Sequence, residues 1–161
     1  MISIRNLTKK HQKELEKVYV ETIPKGFPEY SSKTVNHLIE KKFRTKILKL
    51  PIKLGAFNGK ELIGYILAEK PVGGVMYISW LAVIKAQQKK GIGTKLLNSF
   101  EKIALKNGAH NVQFDSNERN LDFYKSKGYE VIGLDKKSYY GTDSFIVKKI
   151  IQEPKEENFL K

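Results

Sequence analysis

The chain has 161 residues, 40% of them hydrophobic, with no cysteine, three histidines and a formal net charge of +13. That length suits one domain with its own core, and the missing thiols exclude disulfides, thiolate metal sites and a covalent cysteine mechanism. The histidines, His11, His37 and His110, stand far apart without ligand spacing, so no metal site is expected.

The basic balance attracts anions: a nucleic acid, an anionic cofactor or an acidic partner. The lysines are spread along the chain and form no basic arm, which reads as a solvated surface more than a nucleic-acid patch. No apolar run approaches bilayer length, and "MISIRNLTKK" lacks the basic, apolar, small-residue order of a signal peptide. A cytoplasmic protein without membrane association is expected.

In chain order, "ISIRNL" reads as a first strand. Thr8 is placed to cap a helix running to about Val20, with Leu15, Val18 and Tyr19 among its apolar positions. Pro24, Gly26 and Pro28 then mark a loop. Ser31 or Ser32 opens a second helix over 33–43, whose Val35, Leu38, Ile39 and Phe43 form one stripe. After Pro51 the period changes, and "KLGAFNGKELIGYILAE" predicts a hairpin around Asn58-Gly59. "PVGGV" turns the chain into "MYISWLAVI", a long apolar strand suited to a sheet centre.

A helix follows to about Asn107, its buried face built from Ile92, Leu96, Leu97, Phe100, Ile103 and Ala104, and Gly108 ends it. "NVQFD" is a strand, "NERNLDFYKSKG" a short helix closed by Gly128, and "YEVIGL" with "SFIVKKI" a terminal hairpin. Residues 1–151 read as a single domain and 152–161 as a charged tail, expected to be mobile. The order is β-α-α-β-β-β-α-β-α-β-β, an α/β (α+β) arrangement. The crossover at 75–115 gives one parallel pair in an otherwise antiparallel sheet.

Between the long strand and its helix lies Gln88-Lys89-Lys90-Gly91-Ile92-Gly93-Thr94. Such a turn presents unpaired N–H groups at a helix N-terminus, which suits phosphate. The P-loop pattern fails for want of a glycine-lysine-hydroxyl triplet at the required spacing. The dinucleotide fingerprint fails because Leu96 occupies its third glycine position. The hexapeptide Gln88–Gly93 instead resembles the pyrophosphate loop of the GNAT superfamily of N-acetyltransferases: Gln or Arg, two residues, Gly, one residue, Gly or Ala. Its flanks "WLAV" and "TKLL" are similar to that family's too. A second segment, "NERNLDFYKSKGYEVIG", resembles the family's downstream motif through Asn117, Tyr124 seven residues on, Gly128 and Tyr129. Element order matches as well, so the resemblance covers roughly residues 1–150.

The resemblance is specific for the cofactor and poor for the acceptor. It implies a GNAT-like fold: a central mixed, mostly antiparallel sheet of about seven strands, four flanking helices, and a splayed parallel pair at the cofactor site. It implies acetyl-CoA as co-substrate and no metal. The N–H groups of Gly91, Ile92, Gly93 and Thr94 would cradle the pyrophosphate, with Thr94 adding a hydroxyl donor. Gln88 would add an amide donor, and Lys89 and Lys90 positive potential. Leu81, Ala82 and Val83 would hydrogen-bond the pantetheine arm and acetyl carbonyl. Asn117 would orient that arm or merely cap its helix. Tyr124 would protonate the leaving thiolate, since a phenol with a reference pKa of about 10 stays protonated at neutral pH; its plain alternative is packing beside Phe123. Trp80 reads as core.

The implied reaction is direct attack of a neutral amine on the thioester, acetylating a peptide N-terminus, a lysine or a small amine. Backbone N–H groups near Ala82 and Val83 would meet the oxyanion. No base emerges. Ser79 stands near the place where many family members carry a glutamate, and Glu21, Glu29 and His37 read as solvated surface. The acceptor region, 18–43, is basic; its Tyr19, Phe27 and Tyr30 wall an acceptor channel or pack on the core. The rival functions are a GNAT-fold CoA-binding protein without catalysis and a basic nucleic-acid-binding module. A homodimer suits the family, but nothing in the sequence requires one.

Overall fold

The computed structural model describes residues 1–160. Its strands are β1 (Ile2–Asn6), β2 (Ile52–Asn58), β3 (Glu61–Ala68), β4 (Val75–Val83), β5 (Asn111–Ser116), β6 (Glu130–Asp135) and β7 (Ser144–Ile150). They follow the order β1-β2-β3-β4-β5-β7-β6 in one seven-stranded sheet. The β4–β5 pair is parallel, while β1–β2, β2–β3, β5–β7 and β6–β7 are antiparallel. The helices are α1 (Gln12–Gly26), α2 (Ser32–Ile39), α3 (Lys41–Ile47), α4 (Ile92–Lys106), α5 (Leu121–Ser126) and α6 (Glu156–Phe159). The strand count and the parallel pair match the sequence expectation; the helices number six among the described residues where four were expected.

The chain divides into two compact units: Met1–Ala68 with Trp80–Phe100, and Glu69–Ser79 with the described residues from Glu101 onward. No helix of the described residues is long and apolar enough to cross a membrane.

In the first unit, Leu15, Val18, Tyr19 and Ile23 of α1 share a buried cluster with Leu38, Phe57, Leu62, Tyr65 and Leu67. The α1 helix, expected to end near Val20, continues through Pro24 to Gly26. Burial explains the extension. Thr22 and Ile23 face the core, Thr22 Oγ1 donates to the Val18 carbonyl (2.8 Å), and it meets Tyr65 Oη at 3.1 Å. Pro24, which lacks an N–H, lies on the exposed side.

The single helix expected over 33–43 is two. Glu40 is extended (φ −61°, ψ 148°) and serves both as C-cap of α2 and as N-cap of α3. The break frees the Ile39 carbonyl, and the Arg44 guanidinium donates to it (2.9 Å). Ser31 supplies the expected cap of α2, its Oγ accepting from Thr34 N at 3.2 Å. In the β2–β3 hairpin Asn58 still pairs with Glu61, so the positive φ falls on Gly59 alone of the Asn-Gly pair.

In the second unit Phe114 of β5 packs against Tyr124 and Tyr129, with ring centroids 4.6 and 5.2 Å apart. Glu101 of α4 accepts from Tyr129 Oη (2.9 Å) and, on both oxygens, from Lys149 Nζ of β7 (3.0 Å each). This network fastens helix, motif aromatic and strand together. The charged stretch after Ile151 touches the rest of this unit at its described residues. Gln152 Nε2 donates to the Ala109 carbonyl (2.8 Å), and the Phe159 ring of α6 lies 5.5 Å from that of His110. A single aromatic anchor in a charged stretch gives no periodic signal, which is why the pattern missed it.

Candidate active site

In the first unit β4 ends at Val83, a 3-10 turn spans Lys85–Gln87, and α4 begins at Ile92. Between them the chain enters the left-handed region twice, at Lys89 (φ 59°) and Gly91 (φ 76°). Lys95 N donates to the Gly91 carbonyl (3.1 Å), which makes Gly91 the N-cap. The first four N–H groups of a helix have no intrahelical acceptor, and here they belong to Gly91, Ile92, Gly93 and Thr94. A Cβ at Gly91 would meet nothing within 4 Å, so the turn is open on that side.

The flanking side chains brace this turn. Gln88 Nε2, expected to reach a phosphate, donates to the Val83 carbonyl (3.0 Å) and ties the loop to the strand end. Lys90 Nζ donates to Gln87 Oε1 (3.2 Å), while Lys89 is exposed. Leu81, Ala82 and Val83 lie half-buried at the end of β4. Their placement depends on a residue that sequence reasoning missed. A Cβ on Gly64 of β3 would stand 2.9 Å from the Ala82 carbonyl oxygen, so only glycine allows this approach. A glycine inside a strand pattern was the available signal. Trp80 packs edge-on to Tyr19 and Phe27 (5.9 and 5.4 Å), as expected of a core residue.

In the second unit the parallel ladder pairs Val75, Met76 and Tyr77 with Asn111, Val112 and Gln113. It stops there, although β4 continues into Ile78 and Ser79 and β5 into Phe114–Ser116 within the same unit. Asn117 follows β5. Its side chain makes no cap hydrogen bond, and its Oδ1 is buried with no partner. The plain capping role is therefore not the one this side chain plays. Tyr124 is buried on α5 beside Phe114 and Phe123. Burial pushes its phenol up to about 12, so it holds its proton across the neutral range.

Of the residues set aside as bases, Glu21 pairs with Lys25 (3.8 Å) and His37 with Glu40 (3.0 Å) at the surface. Sequence reasoning passed over a carboxylate, Asp115, which accepts a hydrogen bond from Tyr77 Oη. The two residues are 38 apart in the chain, so no local pattern relates them.

A family model described as "Acetyltransferase (GNAT) family" matches residues 12–129. The chain belongs to this family. Among curated relatives, it is 35% identical over 88 residues to N-alpha-acetyltransferase 50 of Danio rerio, a match covering 49% of this chain and 51% of that protein. It is 32% identical over 76 residues to glucosamine 6-phosphate N-acetyltransferase of Candida albicans, covering 45% and 51%. The chain thus spans about half the length of the curated relatives it matches. Among solved structures, the PaiA N-acetyltransferase from Thermoplasma acidophilum in complex with coenzyme A has the same fold. The TM-score is 0.77 at 24% identity, covering 93% of this chain and 99% of that one. This GNAT chain has no group of three His, Cys, Asp or Glu able to hold a metal ion among its described residues.

Proposed function

We propose that this GNAT chain is an N-acetyltransferase, moving the acetyl group of acetyl-CoA directly onto a primary amine: a peptide N-terminus, a lysine or a small amine. The observation that carries the reading is the turn at Gly91. There, four helix-terminal N–H groups adjoin a glycine whose missing side chain leaves open space. The unpartnered Oδ1 of Asn117 is a second fit, since it suits an amide N–H of a pantetheine arm.

Acetyl-CoA supplies an acyl carbon activated as a thioester. The N–H groups of Gly91, Ile92, Gly93 and Thr94, with the Thr94 hydroxyl, bind its pyrophosphate. Lys89 and Lys90 add positive potential, and Gln88 holds the loop in place through Val83. Leu81, Ala82 and Val83 offer backbone groups to the arm and to the oxygen on which charge develops. Tyr124, protonated through the neutral range, donates to the departing sulfur. Residues 1–151 act as one cytoplasmic N-acetyltransferase domain, and the basic surface is solvated rather than bound to nucleic acid.

The test is a thermal-shift and calorimetric titration with acetyl-CoA, CoA and a short DNA duplex at two salt concentrations. Acetyl-CoA should bind one to one and add about 2.7 kcal/mol at a hundredfold excess over Kd. Gly91→Asp should abolish the effect. No response to either CoA species, together with salt-sensitive DNA binding, would overturn the reading.

A further inference from the structure

The helix that carries Tyr124 is too short to hold itself. α5 has six residues, Leu121–Ser126, and isolated helices shorter than about twelve residues are marginal in water. Its last turn closes on Tyr124, whose carbonyl accepts from Lys127 N (2.9 Å) and from Tyr129 N (3.1 Å). Between those two donors Gly128 stands at φ 85°. Where residues 127–129 are held therefore decides where the Tyr124 backbone stands.

A side-chain network on other elements of the same unit holds that turn. Glu101 of α4 accepts from Tyr129 Oη on one oxygen and from Lys149 Nζ of β7 on both. Lys149 reaches the carboxylate by lying across the turn. A Cβ at Gly128 would stand 3.3 Å from Lys149 Cε, and Lys149 Nζ is 5.4 Å from the centre of the Tyr129 ring. The ring of Tyr129 in turn lies 6.2 Å from that of Tyr124, and both pack on Phe114. Glu101 is also unlike the other paired glutamates. Its side chain is 17% exposed, whereas those of Glu16, Glu21, Glu40 and Glu130 are 41 to 63% exposed. Exposed pairs contribute little, while a sheltered carboxylate with charged and neutral donors on it is held firmly.

We infer that Glu101 is a positioning residue for acetyl transfer: through Tyr129 and Lys149 it fixes the last turn of α5 and so aims the Tyr124 hydroxyl at the departing sulfur. The inference rests on the proposed acetyl transfer for its chemical step. As the C–S bond breaks, the Tyr124 proton passes to sulfur. The phenolate regains a proton, by way of water, from the nitrogen that has formed the new C–N bond. Burial is what raises the Tyr124 phenol, so Glu101 acts on the place of that hydroxyl and not on the proton it carries.

The experiment labels the tyrosine rings of the full chain and follows them by NMR without cofactor. In Glu101→Ala and in Tyr129→Phe the Tyr124 ring signals, displaced by the neighbouring Phe114 ring, should shift, while those of Tyr19 and Tyr65 in the first unit stay. Acetyl transfer is then read as free thiol, to which a chain without cysteine adds nothing, with an alanyl tripeptide, lysine amide and butylamine as acceptors. Glu101→Ala should lower kcat about tenfold, as expected for a misplaced catalytic group, and leave the KM for acetyl-CoA within about twofold. In a Tyr124→Phe background the same change should add nothing. Gln152→Ala, which removes a hydrogen bond to the Ala109 carbonyl in the same unit, is the structural control and should leave kcat and the Tyr124 signals as they are. Tyr129→Phe keeps the ring and carries the test if Glu101→Ala loses its fold. Unmoved Tyr124 signals in both variants, or the same loss of kcat with and without the Tyr124 hydroxyl, would overturn the inference. Shifted Tyr124 signals in a chain that acetylates none of the three acceptors would instead remove the acetyl-transfer reading and leave the link from Glu101 to Tyr124 standing.

Discussion

The turn at Gly91 and the cavity lined by Gln113, Asp115, Asp135, Ser138, Tyr139 and Ile146 are built in opposite ways. The turn uses main chain: four consecutive N–H groups whose direction follows from where α4 starts and from one glycine at φ 76°. The cavity uses side chains drawn from β4, β5, β6, β7 and the loop between the last two. A backbone site needs spacing and glycine, and both are written locally. A side-chain site needs strands brought into register, and its members can be anywhere in the chain. The first kind is therefore tolerant of most side-chain changes, and the second is sensitive to each of them.

The largest expected effect separates chemistry from binding. Tyr124→Phe should lower kcat by about a hundredfold or more, the usual range for a lost general acid, with acetyl-CoA affinity nearly unchanged. Steady-state kinetics beside calorimetry measures both, and an equal loss in affinity would make Tyr124 a binding residue only. Gly91→Asp should do the reverse. An aspartate there sets a carboxylate against the phosphate and must take a φ near 76° that L-residues rarely adopt, so acetyl-CoA affinity should fall about a hundredfold and stability somewhat with it.

Gly64→Ala asks whether the backbone site tolerates pressure from its neighbouring strand. The new Cβ would press on the Ala82 carbonyl, a backbone atom that cannot swing away. Unfolding in urea should show a loss of about 1–3 kcal/mol, typical of overpacking, with weaker acetyl-CoA binding. Tyr129→Phe, which removes one donor to Glu101, should cost about 1 kcal/mol and leave the Gly91 turn untouched.

The smallest effect is one of pH. Tyr124 rises from an ordinary value of 10.0 to about 12, and burial raises Tyr65, Tyr77 and Tyr129 as well. Above pH 10 the unfolded chain loses phenolic protons that the folded chain keeps. Stability from these groups is therefore complete below about pH 10 and declines as pH climbs through 12. Urea midpoints taken from pH 8 to 11.5 should fall only at the alkaline end, and less steeply in Tyr129→Phe. A flat profile would mean these phenols are more solvated than their burial implies.

Much of the fold was legible in the sequence. The strand order in the chain, the β2–β3 hairpin, the face of α4 and the parallel crossover all follow from periodicity and glycine placement. Two helix boundaries were misread. Pro24 looked like a stop, but Tyr19, Thr22 and Ile23 bury on one side of α1 and carry the helix past it. Glu40 looked like a helix interior, yet it takes an extended conformation and divides α2 from α3. At Pro24 tertiary packing outweighed a local preference of about 3 kcal/mol.

By itself, the sequence determined the family-like motifs, because the Gly91 turn and the Asn117–Gly128 segment each depend on a handful of adjacent residues. Only the tertiary structure decided that Gly64 must lack a side chain, that Asn117 leaves its Oδ1 without a partner, and that Tyr77 and Ser144 meet on Asp115. Those facts arise from contacts across distant parts of the chain, where chain order sets no distance and only the packed strands do.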